Sequence, residues 1–243
     1  MASMITGSIP AIVTPMRDDG AVDEAAFRNL IDWHIDQGSD AIVAVGTPGE
    51  TATLDVDEHT EVISIAIDQV AGRVPLIAGT GANATAEALH LTRKAESLGA
   101  DAALLVTPYY NKPTQEGLYR HFRTVAEGAS IPQILYNVPG RTACDMSNEV
   151  VLRLAEIDNI VGLKDATADV PRGIRLIQSV PDDFAVYSGE DITSMELMLG
   201  GGNGTISVTA NVAPALMHAM SVAAIAGDRA EAERLNDLLI PLH

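Results

Sequence analysis

The sequence predicts an α/β fold, a single (β/α)8 TIM barrel with a truncated C-terminal helical extension. Eight short apolar runs recur along the chain, segments with helical periodicity separate them, and the length of 243 residues matches the roughly 250 of such a barrel. The runs are continuously hydrophobic, which is typical of parallel strands covered on both faces. The alternative, a doubly wound open sheet, lacks the G-x-G-x-x-G after the first strand that would support it.

The strands are predicted where the apolar runs fall in the chain. In order, they are Ile9 to Thr14, Asp40 to Gly46, Pro75 to Gly79, Ala102 to Thr107, Pro132 to Asn137, Ile160 to Lys164, Phe184 to Ser188 and Gly204 to Val208. Each intervening segment is long enough for the crossover that parallel pairing requires. Residues 1–226 are therefore expected to form the barrel, and residues 227–243 a remnant of a C-terminal helical domain.

A helix is predicted after each of the eight strands, and one more at the end of the chain. Those with the clearest periodicity are Glu24 to Gln37, Asp57 to Val70, Thr85 to Leu98, Glu116 to Gly128, Asn148 to Ile157 and Asp228 to Leu242. Asp23, Thr85 and Ser147 are candidate N-caps because their side chains can accept from the first free amides. Glycines such as Gly38 and Gly99 stand where helix ends are expected.

Composition excludes several classes of function. A formal net charge of −18 argues against nucleic acid or an anionic membrane as a partner. The single cysteine, Cys144, excludes an internal disulfide and suits a cytoplasmic protein. The six histidines are scattered without ligand spacing, so no metal site is expected. The first residues lack the basic and apolar segments of a signal peptide, and no run is long enough to span a membrane.

Lys164 is the most informative residue, because it ends a buried strand in a chain with only three lysines. Burying an ammonium is costly, and desolvation favours the neutral amine that attacks a ketone to form a Schiff base. An ordinary lysine has a pKa of about 10.4, which must fall to about 7 for the amine to be largely neutral. We expect burial beside Arg141 and away from carboxylates to lower it. The alternative is a snorkelling lysine at a strand end.

Tyrosines and an arginine follow the neighbouring strands, at the barrel end where chemistry is expected. Three of the five tyrosines, Tyr109, Tyr110 and Tyr136, lie at the ends of strands four and five. Phenols relay protons, and Thr47 is placed to link two of them. The alternative is that they plug the barrel mouth. Arg141 offers a fork for a carboxylate or phosphate, or else pairs with a nearby aspartate.

Seven segments of the chain carry a resemblance to a known family. They are GSIPAIVTPM, AIVAVGTPGE, LIAGTGANATAEA, LLVTPYYNKPTQEGLYRHF, QILYNVPGRT, VGLKDAT and GNGTISVTANV. Together they resemble the dihydrodipicolinate (4-hydroxy-tetrahydrodipicolinate) synthases of bacterial lysine biosynthesis, over nearly the whole chain. The resemblance implies condensation of pyruvate with aspartate 4-semialdehyde, without a metal or an organic cofactor.

The resemblance also implies roles for single residues. Lys164 forms the Schiff base with pyruvate, and Tyr136 is the general acid and base, linked through Thr47 to a Tyr110 from a neighbouring subunit. A homodimer is then the smallest complete assembly. Arg141 holds the carboxylate of the incoming aldehyde. The positions that line the substrate pocket are Pro48, Gly189 and Ile206.

Some members of the family carry a lysine-feedback site at a dimer cleft. The matching positions in this chain are Thr51, Ala52, His59, Asn83, Glu87 and Tyr109. Val56 stands where some members carry histidine.

Two features depart from the family pattern. Pro48 replaces a threonine whose hydroxyl and N–H help to bind the pyruvate carboxylate, and proline has neither group. Family members also usually continue for several tens of residues beyond the position of His243. Two alternatives therefore stay open: another pyruvate-dependent aldolase of the N-acetylneuraminate lyase superfamily, or a weakly catalytic barrel that only binds small molecules.

Overall fold

The computed structural model describes residues 4–243, in which eight parallel strands form one sheet. The strands are β1 (Gly7–Pro10), β2 (Ile42–Ala44), β3 (Leu76–Gly79), β4 (Ala102–Val106), β5 (Gln133–Asn137), β6 (Ile160–Asp165), β7 (Ala185–Ser188) and β8 (Gly204–Ser207). From β2 onward each strand pairs with the next, and β8 pairs with β1. A parallel bridge between Ala11 and Val43 joins the end of β1 to β2 and closes the sheet. The predicted (β/α)8 barrel is confirmed.

Helices connect successive strands and pack around the barrel. They are α1 (Glu24–Asp36), α2 (Val56–Val70), α3 (Thr85–Leu98), α4 (Gln115–Gly128), α5 (Pro139–Thr142), α6 (Asn148–Leu154), α7 (Val170–Ile177), α8 (Asp191–Leu199), α9 (Pro214–Ile225) and α10 (Arg229–Leu239). Short 3-10 turns lie at Thr47–Gly49, Thr209–Asn211 and Ile240–Leu242. None of the helices within residues 4–243 is both long and apolar enough to cross a bilayer.

The core has layers on both sides of the sheet. Alternate strand residues, such as Ile134 and Tyr136 of β5, face the barrel interior, where they pack with Ile9 and Ile206. Leu135, between them, packs outward against the helices. A separate apolar cluster joins α8, α9 and α10. The division between residues 226 and 227 stays a prediction.

Two of the three predicted N-caps are confirmed. The side chains of Asp23 and Ser147 accept from the amides of Ala26 and Val150. The prediction for Thr85 is wrong, because Ala84 is the cap residue and Thr85 is already helical. The Thr85 hydroxyl instead lies 2.9 Å from Nδ1 of His121 on α4, so it serves a contact between two helices.

Candidate active site

Lys164 and Tyr136 lie side by side at the C-terminal ends of β6 and β5. They are direct partners in the strand register, and alternation along both strands turns them into the barrel. Lys164 is only 3% exposed, and its Nζ lies 4.2 Å from the centroid of the Tyr136 ring. The snorkelling alternative is therefore wrong: the amine is buried against a phenol.

The charges around Lys164 act in both directions. Burial is the largest effect and lowers the pKa of the amine from 10.5 to about 8. The negative charge of Asp191 raises the pKa, the positive charge of Arg141 lowers it further, and the negative charge of Glu190 raises it. The expectation of a site away from carboxylates is wrong, because β7 ends shortly before Glu190 and Asp191. The two carboxylates limit the fall in the pKa that burial causes.

The Tyr136 phenol is a proton donor held in its neutral form. Burial raises its pKa, while contact with Thr47 and the charge of Arg141 offset this only in part. Thr47 and Thr51 line a cavity of about 20 Å³ beside Tyr136. A space of that volume holds about one water molecule. The structure therefore brings Thr47 to the phenol of Tyr136, while its link to a second tyrosine stays a prediction.

The turn that carries Thr47 and Pro48 follows a strained residue. Val45 is buried and has a φ of 54°, which is rare for a β-branched side chain. A Cβ added to Gly79 of β3 would lie 2.1 Å from the Val45 carbonyl oxygen. The two backbones touch because residue 79 has no side chain, and this contact fixes the end of β2.

Arg141 lies on the short helix α5, at the mouth of the barrel. The side chain is exposed and makes no ion pair within residues 4–243, so the alternative of a loop ion pair is not found. Its charge nevertheless acts on both Lys164 and Tyr136. Helix α5 itself is not among the predicted helices, because it is a single turn started by Pro139 and too short to show a periodicity.

Two further predicted pocket positions lie beside Lys164 or Tyr136. A Cβ on Gly189 would lie 2.9 Å from Lys164 Cε, so only glycine leaves room for the amine's stem. Ile206 is fully buried and packs in the interior cluster that contains Tyr136. Both positions shape the space around the reactive groups.

Tyr110 is the predicted catalytic residue that this chain does not bring to Lys164. Its side chain is 89% exposed, and its backbone has a φ of 75°. The relay from Tyr136 to Tyr110 is therefore not formed within one chain.

The positions that match a feedback site lie together near the ends of β2, β3 and β4. His59 is buried, and its Nε2 contacts the Gly79 carbonyl at 2.8 Å. The Asn83 amide donates to the Tyr109 carbonyl, and the charge of Glu87 acts on His59. Thr51 is half-buried and Ala52 is exposed.

A cavity of about 580 Å³ opens at the opposite end of the barrel from Lys164. It lies among the residues that begin the strands, including Asp101, Asp158 and Asp183. Catalysis in this fold takes place at the other end, so the smaller space beside Tyr136 is the candidate site.

Comparison with known proteins points to a single family. The model of the Dihydrodipicolinate synthetase family matches residues 4–243. The 4-hydroxy-tetrahydrodipicolinate synthase of Methylococcus capsulatus is 62% identical over 240 residues, which are 99% of this chain and 82% of the relative. That of Thioalkalivibrio sulfidiphilus is equally similar, at 62% over 240 residues, with 99% and 82% covered.

Solved structures agree with the sequence relatives. The dihydrodipicolinate synthase of Acinetobacter baumannii, in complex with pyruvate, superposes with a TM-score of 0.95 at 59% identity, covering 96% of this chain and 80% of that one. The enzyme of Cyanidioschyzon merolae with lysine bound gives a TM-score of 0.92 at 39% identity, covering 95% and 79%.

Proposed function

This chain belongs to the dihydrodipicolinate synthetase family, and we infer from that membership that it condenses pyruvate with L-aspartate 4-semialdehyde. The product is 4-hydroxy-tetrahydrodipicolinate, on the route to diaminopimelate and lysine. The enzyme is a lyase of the class I aldolase type. The alternatives, another pyruvate-dependent aldolase or a barrel that only binds small molecules, are not favoured by relatives of this identity.

Lys164 is the nucleophile in this proposal. Its neutral amine attacks the keto carbon of pyruvate, a C–N bond forms, and the keto oxygen leaves as water to give the Schiff base. Loss of a proton from the methyl carbon then gives an enamine, whose carbon attacks the aldehyde carbon while the aldehyde oxygen takes up a proton. The amine of the second substrate then attacks the Schiff-base carbon, the ring closes, and the C–N bond to Lys164 breaks to release the product and the free lysine. The observation that carries the proposal is the burial of this amine at 4.2 Å from the Tyr136 ring.

Tyr136 is the general acid and base for these steps. The pKa of its phenol is raised by burial, so it holds a proton to give to the departing water. Thr47 passes protons between Tyr136 and a Tyr110 supplied by a neighbouring subunit. The 89% exposure of Tyr110 supports this assignment, and with it a homodimer or a larger homo-oligomer. We also propose a cytoplasmic location, which the single cysteine suits.

Arg141 binds the second substrate. Its exposed guanidinium at the barrel mouth suits the carboxylate of the aldehyde, while Pro48, Gly189 and Ile206 shape the space for pyruvate. We also propose the lysine-binding regulatory site at the six positions named above. The charge of Glu87 acts on His59 and the Asn83 amide donates to Tyr109, and this grouping of four of the six positions supports it.

Borohydride trapping tests the proposed nucleophile. Pyruvate and borohydride should add the mass of one reduced pyruvate to the chain, at Lys164 in the peptide map. Lys164→Ala should abolish the adduct. Lys94→Ala, on the outer helix α3, should retain it. An adduct that persists in Lys164→Ala, or no adduct at saturating pyruvate, would contradict the proposal.

A further inference from the structure

A polar network that reaches from the core to the surface lies behind the candidate site, on the outer side of the strands that carry it. Asn137 directly follows Tyr136, and Asp165 directly follows Lys164. These two residues are register partners, one step beyond the pair that faces the barrel. Alternation turns them outward, towards the helices. Asn137 is only 1% exposed, so its amide must find partners inside the protein.

Asn137 finds its partners in the loop that leads from α5 to α6. Its Nδ2 donates to Asp145 Oδ1 at 2.8 Å, and its Oδ1 accepts from the Met146 amide at 3.0 Å. The loop that carries Arg141 begins at Val138 and returns to the barrel at Asp145 and Met146. Asn137 therefore ties both ends of this loop to the end of β5.

Arg172 of α7 holds the same two loop residues from the other side. Its Nη1 and Nη2 donate to the two Asp145 oxygens at 2.8 and 3.0 Å, and Nη2 also donates to the Met146 carbonyl. Nε donates to Asn148 Oδ1 at 3.2 Å. A bidentate fork fixes orientation as well as distance, which a lysine in the same place does not do.

The charge on Asp145 supports this arrangement. Partial burial acts to raise its pKa, but the hydrogen bonds from Arg172 and Asn137 outweigh it, so the pKa lies below the ordinary value. The side chain of Arg172 is 18% exposed and that of Asp145 is 50% exposed, so the guanidinium is better shielded from solvent than that of Arg120 in the ion pair on α4. The bidentate contact, more than burial, defines the geometry of the pair.

We propose that Arg172 is a positioning residue that acts through Asp145 and Asn137 to hold the Arg141 loop over Lys164, and so sets the affinity for the aldehyde carboxylate. This inference rests on the role of Arg141 in the proposed function. Loosening the loop moves Arg141 while Lys164 and Tyr136 stay on their strands. The effect should therefore fall on the second substrate and spare the first.

The test compares both substrates in Arg172→Met. The KM for aspartate semialdehyde should rise about 10- to 100-fold, because small misplacements of a binding group cost that much. The rate of pyruvate trapping at Lys164 should stay within about twofold of the unmutated protein, since the strands are unchanged. Arg175→Met, on the exposed side of the same helix, is the matched control and should leave both values unchanged.

Two combined variants separate positioning from general damage. In an Arg141→Ala background, Arg172→Met should add almost nothing to the aldehyde KM, because the group that it positions is already gone. Arg172→Met with Asp145→Ala should likewise match the single variant. Should Arg172→Met fail to fold, Arg172→Lys keeps the stem and charge without the fork, and should show the same aldehyde-specific rise.

Three results overturn the inference, and they fall on different steps. If Arg141→Ala raises the KM for the aldehyde but Arg172→Met leaves that KM unchanged, only the positioning role of Arg172 is refuted. Equal losses for both substrates in Arg172→Met and Arg172→Lys refute it as well, because the residue is then merely structural. An unchanged aldehyde KM in Arg141→Ala refutes the proposed role of Arg141, and this inference with it.

Discussion

At Lys164, burial and charge compete for one proton. Burial lowers the pKa to about 8, and Asp191 and Glu190 prevent a larger fall. At pH 7 about one amine in ten is then neutral, compared with fewer than about one in a thousand for an ordinary lysine. In the proposed reaction a cation also forms when the Schiff base on Lys164 is protonated, so the carboxylates that oppose deprotonation of the amine would also stabilise that intermediate.

Pro48 is a second residue at which a single substitution should change the binding of pyruvate. It lies in the 3-10 turn that follows the strained Val45 and has no N–H to offer a carboxylate. Pro48→Thr should lower the KM for pyruvate by about 10- to 100-fold, the value of one hydrogen bond to a charged group. Steady-state kinetics measure it, with Pro181→Thr in the exposed turn before β7 as control. An unchanged or higher KM would show that residue 48 does not contact pyruvate.

A single site residue can be predicted from the sequence when its position in the chain is unusual for its residue type. A lysine that ends a buried strand, or a tyrosine at the end of the neighbouring strand, stands out in the sequence. Arg172 and Asp145 do not, because each looks like an ordinary surface charge and 27 residues separate them. The carboxylates near Lys164 escape prediction for a similar reason: Asp191 follows β7, whose distance from β6 is set by the closed sheet.

The backbones at the ends of β2 and β3 approach so closely that little room is left for a side chain between them. A Cβ on Gly79 would lie 2.1 Å from the Val45 carbonyl, and backbone cannot move aside without breaking the ladder. Gly79→Ala should lower the free energy of unfolding by about 2 to 4 kcal/mol. Thermal or urea unfolding measures it, and Gly140→Ala, with open space around its Cβ, should change stability little. Equal stabilities of the two variants would refute the contact.

Element types are predictable from apolar runs and periodicity, but some ends are not. The first apolar run predicts a strand at Ile9 to Thr14, whereas β1 is Gly7–Pro10. Gly7 and Gly204 pair so closely that a Cβ on Gly204 would lie 2.2 Å from the Gly7 carbonyl. In the sequence alone, a glycine at this position indicates a turn. Gly7 is a strand residue because it pairs with Gly204 of β8.

For the whole molecule, two buried histidines link stability to acid pH. Burial lowers the pKa of His34 and of His121 from 6.5 to about 4. Between these two pH values the unfolded chain binds protons that the folded chain does not, so stability falls as the pH drops from about 6.5 to about 4. The same relation predicts no contribution from these groups above about pH 7.

His34→Leu should remove part of that acid sensitivity. Neither ring nitrogen of His34 has a hydrogen-bond partner within the described chain, so an apolar side chain of similar size fits the site. The difference in unfolding free energy between pH 6.5 and pH 4 should shrink by on the order of 3 kcal/mol. Urea unfolding at both pH values measures it, with His90→Leu on the exposed face of α3 as control. An unchanged difference would exclude His34 as a source.

The rate of pyruvate trapping at Lys164 as a function of pH reports on the neutral amine itself. This rate should rise with pH and be half-maximal near the pKa of about 8. In Asp191→Asn the midpoint should move to lower pH, because a charge that favours the ammonium is removed. A midpoint near the ordinary lysine value of about 10.4, unmoved in Asp191→Asn, would contradict a buried amine prepared for attack.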